Sequence, residues 1–141
     1  MTRIAISDLP KILPGLILRV PNRWWRFDDR VTSEHPGACI RVLQLAPGPG
    51  HAVLSKGSSK RDRRSVTYVE RSGRLHLVVA PDSVNGLRDV THFQIAPRVH
   101  YFSADKIGRL SLDRTVGRLS EADFAEMRRL FDVAFPSPHQ R

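Results

Sequence analysis

A single cysteine, Cys39, leaves no partner for a disulfide within these 141 residues. It lies in an apolar, strand-like run and reads as a buried, inert thiol of a reducing cytoplasm rather than a nucleophile. Long hydrophobic runs are missing too: none approaches the roughly 18–20 residues that cross a bilayer, so no membrane-spanning helix is predicted. The opening stretch, Met1 to Pro10, mixes Arg3 with Asp8, lacks the apolar core of a secretory signal and reads as uncleaved. There is no P-loop, no dinucleotide fingerprint and no Gly-x-Ser-x-Gly elbow. His51, His76, His92 and His100 are scattered without a spacing that assembles a metal site, and neither a metal nor another cofactor is expected. Asp28-Asp29 is an adjacent pair on a loop, better suited to a turn or to nearby arginines than to acid–base work.

Acidic residues are also scarce. Fourteen Asp and Glu stand against 23 Lys and Arg, for a net charge of +9. A small basic domain suits a polyanion or an acidic partner, and this balance argues against an enzyme for small neutral substrates. Charge alone does not choose among RNA, DNA and an acidic protein tail. The length fits one domain, residues 1–141, with a core over about 12–135 and a frayed tail at 136–141.

Turn residues punctuate short apolar segments. Strands are predicted over Ile12–Val20, after Pro14-Gly15, and over Ala38–Leu45, His51–Lys56, Val66–Val69, Leu75–Ala80 and Thr91–Ile95. Ala46 to Gly50 and Ser72-Gly73 read as turns, and residues 22–34 and 57–64 as loops. The clearest element is the last. Ser120 can cap a helix whose Asp123 reaches back, and Phe124, Met127, Phe131 and Ala134, widened by Leu130, form its apolar stripe before Pro136 stops it. Together these predict a mainly β chain, a small bent barrel of about six strands, closed by a C-terminal helix.

Val99-His100-Tyr101-Phe102 running into Asp105-Lys106, then Gly117-Arg118-Leu119-Ser120 and a closing helix, resembles the C-terminal half of PemK/MazF-type toxins. Pro14-Gly15-Leu16-Ile17 resembles their first strand, and His35-Pro36 before Ala38–Leu45 their second. The resemblance implies an SH3-like barrel, a homodimer, and a cytoplasmic endoribonuclease of a type II toxin–antitoxin pair that inhibits growth. It implies metal-independent cleavage of single-stranded RNA to a 2′,3′-cyclic phosphate and a 5′-hydroxyl, neutralised by an acidic antitoxin.

That family works largely through an Arg in an Arg-Pro pair and a Thr or Ser after the third strand. Here His35-Pro36 replaces Arg-Pro. Imidazole is a plausible base, since it titrates at about pH 6.5, but it lacks the permanent charge and bidentate grip of arginine. The ordinary alternative is a loop histidine bonded to the strand start. Arg30 or Arg41 could supply the missing cation, and either could be a plain surface residue. In Lys56-Gly57-Ser58-Ser59-Lys60, Ser58 best matches the catalytic hydroxyl, with Ser59 and Ser55 as alternates; an unremarked Ser-rich turn is the bland reading.

Lys56, Ser59, Lys60, Arg61, Arg63 and Arg64 would then make a phosphate-binding strip, where otherwise they are a solvated loop. In Arg23-Trp24-Trp25-Arg26-Phe27, Trp24, Trp25 and Arg26 are RNA-binding candidates alongside Arg30, with one tryptophan expected in the core. Two other functions fit the same fold: a non-catalytic toxin that poisons DNA gyrase through protein contacts, and a degenerate RNA-binding domain. A tryptophan just after the last helix would favour the first of these, but the chain has Phe135-Pro136 there.

Overall fold

The computed structural model of the chain describes residues 13–25, 34–43, 50–59 and 67–136. These form β1 (Leu16–Pro21), β2 (Glu34–Leu43), β3 (His51–Ser58), β4 (Tyr68–Val69), β5 (Leu75–Val79), β6 (Thr91–Ala96), β7 (His100–Ser103), α1 (Ala104–Arg114), β8 (Thr115–Arg118) and α2 (Glu121–Ala134). A 3-10 turn, Asn22–Trp24, follows β1. The chain is mainly antiparallel β with a C-terminal helix, as the patterning predicts. Its strands form one open sheet in the order β4-β5-β6-β3-β2-β1-β8, with β7 also paired to β3.

Strand β3 is the hinge of the arrangement. One edge takes β2; the other takes β7 along His51–Leu54 and then β6 at Gly57 and Ser58. Gly57 and Ser58 therefore belong to a strand, not to the loop their composition suggests. A Cβ at Gly57 would stand 2.7 Å from Thr91 Cγ2 and 2.8 Å from Phe93 Cε1, so only glycine lets β6 close on β3 here.

Two apolar clusters fill the interior. In the first, Ile17, Ile40, Phe93 and Ile95 meet Met127 and Phe131 of α2. In the second, Leu18, Val20, Leu54 and Phe102 meet Trp25 and Ile107 of α1. Each large apolar side chain so buried contributes about 1.5–3 kcal/mol before entropy is counted. α2 starts as predicted: Ser120 Oγ accepts the Asp123 N–H at 3.1 Å, and Met127, Leu130 and Phe131 are its buried face.

The sequence reading predicted no strand or helix for β7, α1 or β8. Gly108 and the polar run around it weaken the helical pattern of α1, which is nevertheless capped by Ser103 Oγ accepting the Lys106 N–H at 3.2 Å. Gly-Arg-Leu-Ser occurs twice, at 108–111 within α1 and at 117–120 where β8 leads into the cap of α2. The same four residues are helical in one context and extended in the other, so tertiary packing decides between them.

Cys39 is fully buried in β2, and burial pushes its thiol up to about 12 from 9.0. The folded chain thus prefers the neutral thiol. That contribution is complete below about pH 9 and is lost as pH rises toward about 12. Iodoacetamide should leave Cys39 unmodified in the native protein and alkylate it in denaturant; rapid native labelling, read by mass spectrometry, would contradict this burial.

Candidate functional site

A groove of about 470 Å³ opens where β1, β2, the end of β3 and β8 meet the segment between β5 and β6. His35, Ser59, Arg19, Arg88 and Thr91 line it. His35 and Arg19 come from neighbouring strands, with Val20 opposite His35 and Arg19 opposite Pro36. β1 is buried at Ile17, Leu18 and Val20, with a register irregularity between Ile17 and Leu18, and Arg19 is its exposed position. Among the described residues, Arg19 is the cation opposite Pro36. Arg41 is exposed on β2 opposite Val53 and does not line the groove. Arg30 lies outside the described residues.

His35 is held from behind. Its Nδ1–H donates to Oδ1 of Asn22, the first residue of the 3-10 turn, and Asn22 is wholly buried. A neutral imidazole that donates from Nδ1 carries its lone pair on Nε2, which is the tautomer a general base requires. Glu34, at the groove rim, is paired with Arg114 from the last turn of α1.

The opposite wall is a tightly tied loop. Asp82 Oδ1 accepts the N–H groups of Val84 and Asn85 at 2.8 and 2.7 Å. Buried Asn85 accepts from Leu87 N–H at 2.9 Å and donates to Ala80 O at 2.8 Å. Arg118 N–H then bonds Val84 O at 3.1 Å, which docks the loop on β8. This bracing carries Arg88 and Asp89 to the groove. Thr91 adds a hydroxyl that donates to Asp89 O at 3.0 Å.

The two serines of 58–59 part company. Ser59 lines the groove with His35. Ser58 pairs with His92 across β3 and β6, so its side chain shares the other sheet face with His92, Tyr68 and His76. There the Tyr68 hydroxyl is 2.8 Å from His92 Nδ1, the Tyr68 ring stacks on His76 at 5.0 Å, and His76 Nε2 is 3.3 Å from Glu70 Oε1. Ser55 is buried and donates to Gln94 O at 2.7 Å.

Of the tryptophans, Trp25 is core, 1% exposed, edge-on to His100 and Phe102 at 4.8 and 5.5 Å. Trp24 is half-buried, with Lys106 Nζ 4.0 Å from its ring centroid. Lys56 Nζ stands 6.0 Å from the Trp25 ring, away from the groove lining. Arg26, Lys60, Arg61, Arg63 and Arg64 lie outside the described residues.

Sequence reasoning did not single out Arg19, Arg88, Thr91, Asn22 or Asn85. A charged residue among apolar ones could have marked Arg19 as exposed, but its pairing opposite Pro36 is a tertiary fact. Among the described residues no group of three or more His, Cys, Asp or Glu side chains is placed to hold a metal ion, and no helix is long and apolar enough to cross a membrane. Neither a family model, nor a curated protein, nor a solved structure matches this chain, so the reading of its function rests on these residues.

Proposed function

We propose that this chain is a PemK/MazF-like toxin, a cytoplasmic endoribonuclease that cleaves single-stranded RNA and is silenced by an acidic antitoxin. One observation carries the reading: a histidine oriented by a buried carboxamide faces a groove that also holds two arginines and a serine. The bend that lets β3 serve β7, β6 and β2 supports an SH3-like barrel, and a homodimer is part of the same proposal.

In this mechanism His35 Nε2 takes the proton of the 2′-hydroxyl adjoining the scissile phosphate. The 2′-oxygen attacks phosphorus, and the bond to the 5′-oxygen breaks. The imidazolium returns its proton to that leaving oxygen, giving a 2′,3′-cyclic phosphate and a 5′-hydroxyl. Arg19 and Arg88 neutralise the crowded phosphorane, and the Ser59 hydroxyl donates to one of its oxygens. Arg19 thereby takes the place of the arginine that His35 displaces. Ser58, the sequence match, sits one residue off on the other face.

The direct test is a long single-stranded RNA incubated with the protein in EDTA, with the new 5′ ends mapped. Discrete cuts bearing 5′-hydroxyls support the proposal. Intact RNA, from a protein that still arrests growth when expressed, points to the protein-binding toxin instead. Arg19→Ala and Arg88→Ala should each weaken RNA binding and reduce the slope of log K against log salt by about 1. An unchanged slope in both variants would remove the groove arginines from phosphate contact.

A further inference from the structure

A second groove, of about 370 Å³, is lined by Trp24 of the 3-10 turn together with Arg98, His100, Tyr101 and Phe102. Nothing in the proposed cleavage chemistry uses it. Its walls are aromatic and cationic, and none of the residues lining it carries a carboxylate. Tyr101 is 60% exposed, a large ring left open to solvent on β7. Arg98 and Lys106 are exposed, and the Lys106 ammonium lies over the Trp24 ring.

We infer that this groove is a subsite for one unpaired nucleobase of the RNA strand, stacked on Trp24 and Tyr101, with Arg98 and Lys106 on the neighbouring phosphates. A planar, anionic ligand is what this lining selects. An aromatic face takes any base without reading its sequence, while the cations take the backbone. A base stacked on indole is worth more than an exposed ammonium over the same ring, so Lys106 can leave the ring for a phosphate.

The link to the first groove is covalent. Asn22, which holds His35, and Trp24 are two residues apart in the same 3-10 turn, and Trp25 N–H closes it on Asn22 O at 3.0 Å. Two residues span at most about 7 Å. A strand whose phosphate meets His35 can therefore place a nearby base at Trp24. Duplex RNA, whose bases are stacked on each other, cannot offer one. The inference rests on the ribonuclease reading and adds a base subsite to it.

The test uses a single-stranded oligoribonucleotide made uncleavable by 2′-O-methylation, followed by fluorescence anisotropy. Trp24→Leu and Tyr101→Ala should each weaken binding by about tenfold. Trp24 is the half-buried tryptophan of the two and Trp25 is core, so oligonucleotide binding should also quench the emission lost in Trp24→Leu. Wild-type binding with no loss in either variant would overturn the subsite and leave the ribonuclease proposal standing. No binding or cleavage of any RNA by the wild type would overturn both. Capture of an acidic peptide by this groove, with oligonucleotide binding untouched by the variants, would assign it to a protein partner and overturn the subsite. Melting curves of both variants close to wild type keep a binding loss from being a folding loss.

Discussion

His35→Ala is expected to lower the rate of RNA cleavage by roughly a hundred- to ten-thousandfold, the usual worth of a positioned acid–base group. The sequence alone would leave the thermal midpoint nearly unchanged, because a loop histidine adds nothing to the core. The structure changes that expectation. The histidine bonds the side-chain oxygen of a fully buried asparagine, and removing it loses that hydrogen bond, worth about 0.5–1.5 kcal/mol. The variant should therefore melt several degrees lower yet remain folded at the assay temperature. Asn22→Asp separates position from chemistry. A carboxylate behind the ring favours the imidazolium, so the acid limb of the pH–rate profile should move upward while the protein stays active. Full activity in His35→Ala, or an unmoved profile in Asn22→Asp, would take this pair out of the mechanism.

Gly86→Ala should destabilise the protein by about 2–5 kcal/mol and should depress cleavage with it. Gly86 adopts φ +68°, where an L side chain is strained, and a Cβ there would stand 2.2 Å from Val116 O of β8. That neighbour is backbone and cannot swing aside. The loop would have to lift from β8, carrying with it the arginine and the threonine-bonded aspartate of the groove wall. Gly73→Ala is the control: its φ is +82° but nothing lies within 4 Å of the added carbon. It should lose only the conformational part, about 1–2 kcal/mol. Thermal or urea melts of the two variants decide the matter. Equal losses would mean that the close approach to β8 contributes nothing.

What the sequence reveals follows from the range of each signal. The last helix was legible because a cap, an apolar stripe and a stop all lie within twenty residues. The hairpin at Gly73 and the buried Cys39 were legible for the same reason. α1 was not, since Gly108 and its polar neighbours hide the period that Ile107 and Leu110 set from the inner side. For the site, His35 was found through its neighbour Pro36, and Ser59 only as an alternate to Ser58. The one-residue choice between those serines is a choice of sheet face, fixed by a β3–β6 register that no local pattern encodes. Arg19 and Arg88 come from strand and loop positions nearly seventy residues apart, and only the fold brings them to one groove.

The pairing of β1 with β8 joins Ile17 to Gly117, a hundred positions later in the chain. The first groove draws on both strands and on segments between them, down to Val116. During synthesis the early strands therefore emerge without their last partner, and the wall opposite His35 has nothing to dock on until β8 is made. The chain must be delivered through β8 before the groove is complete. The proposed ribonuclease would thus stay without its groove in a nascent chain until β8 has emerged.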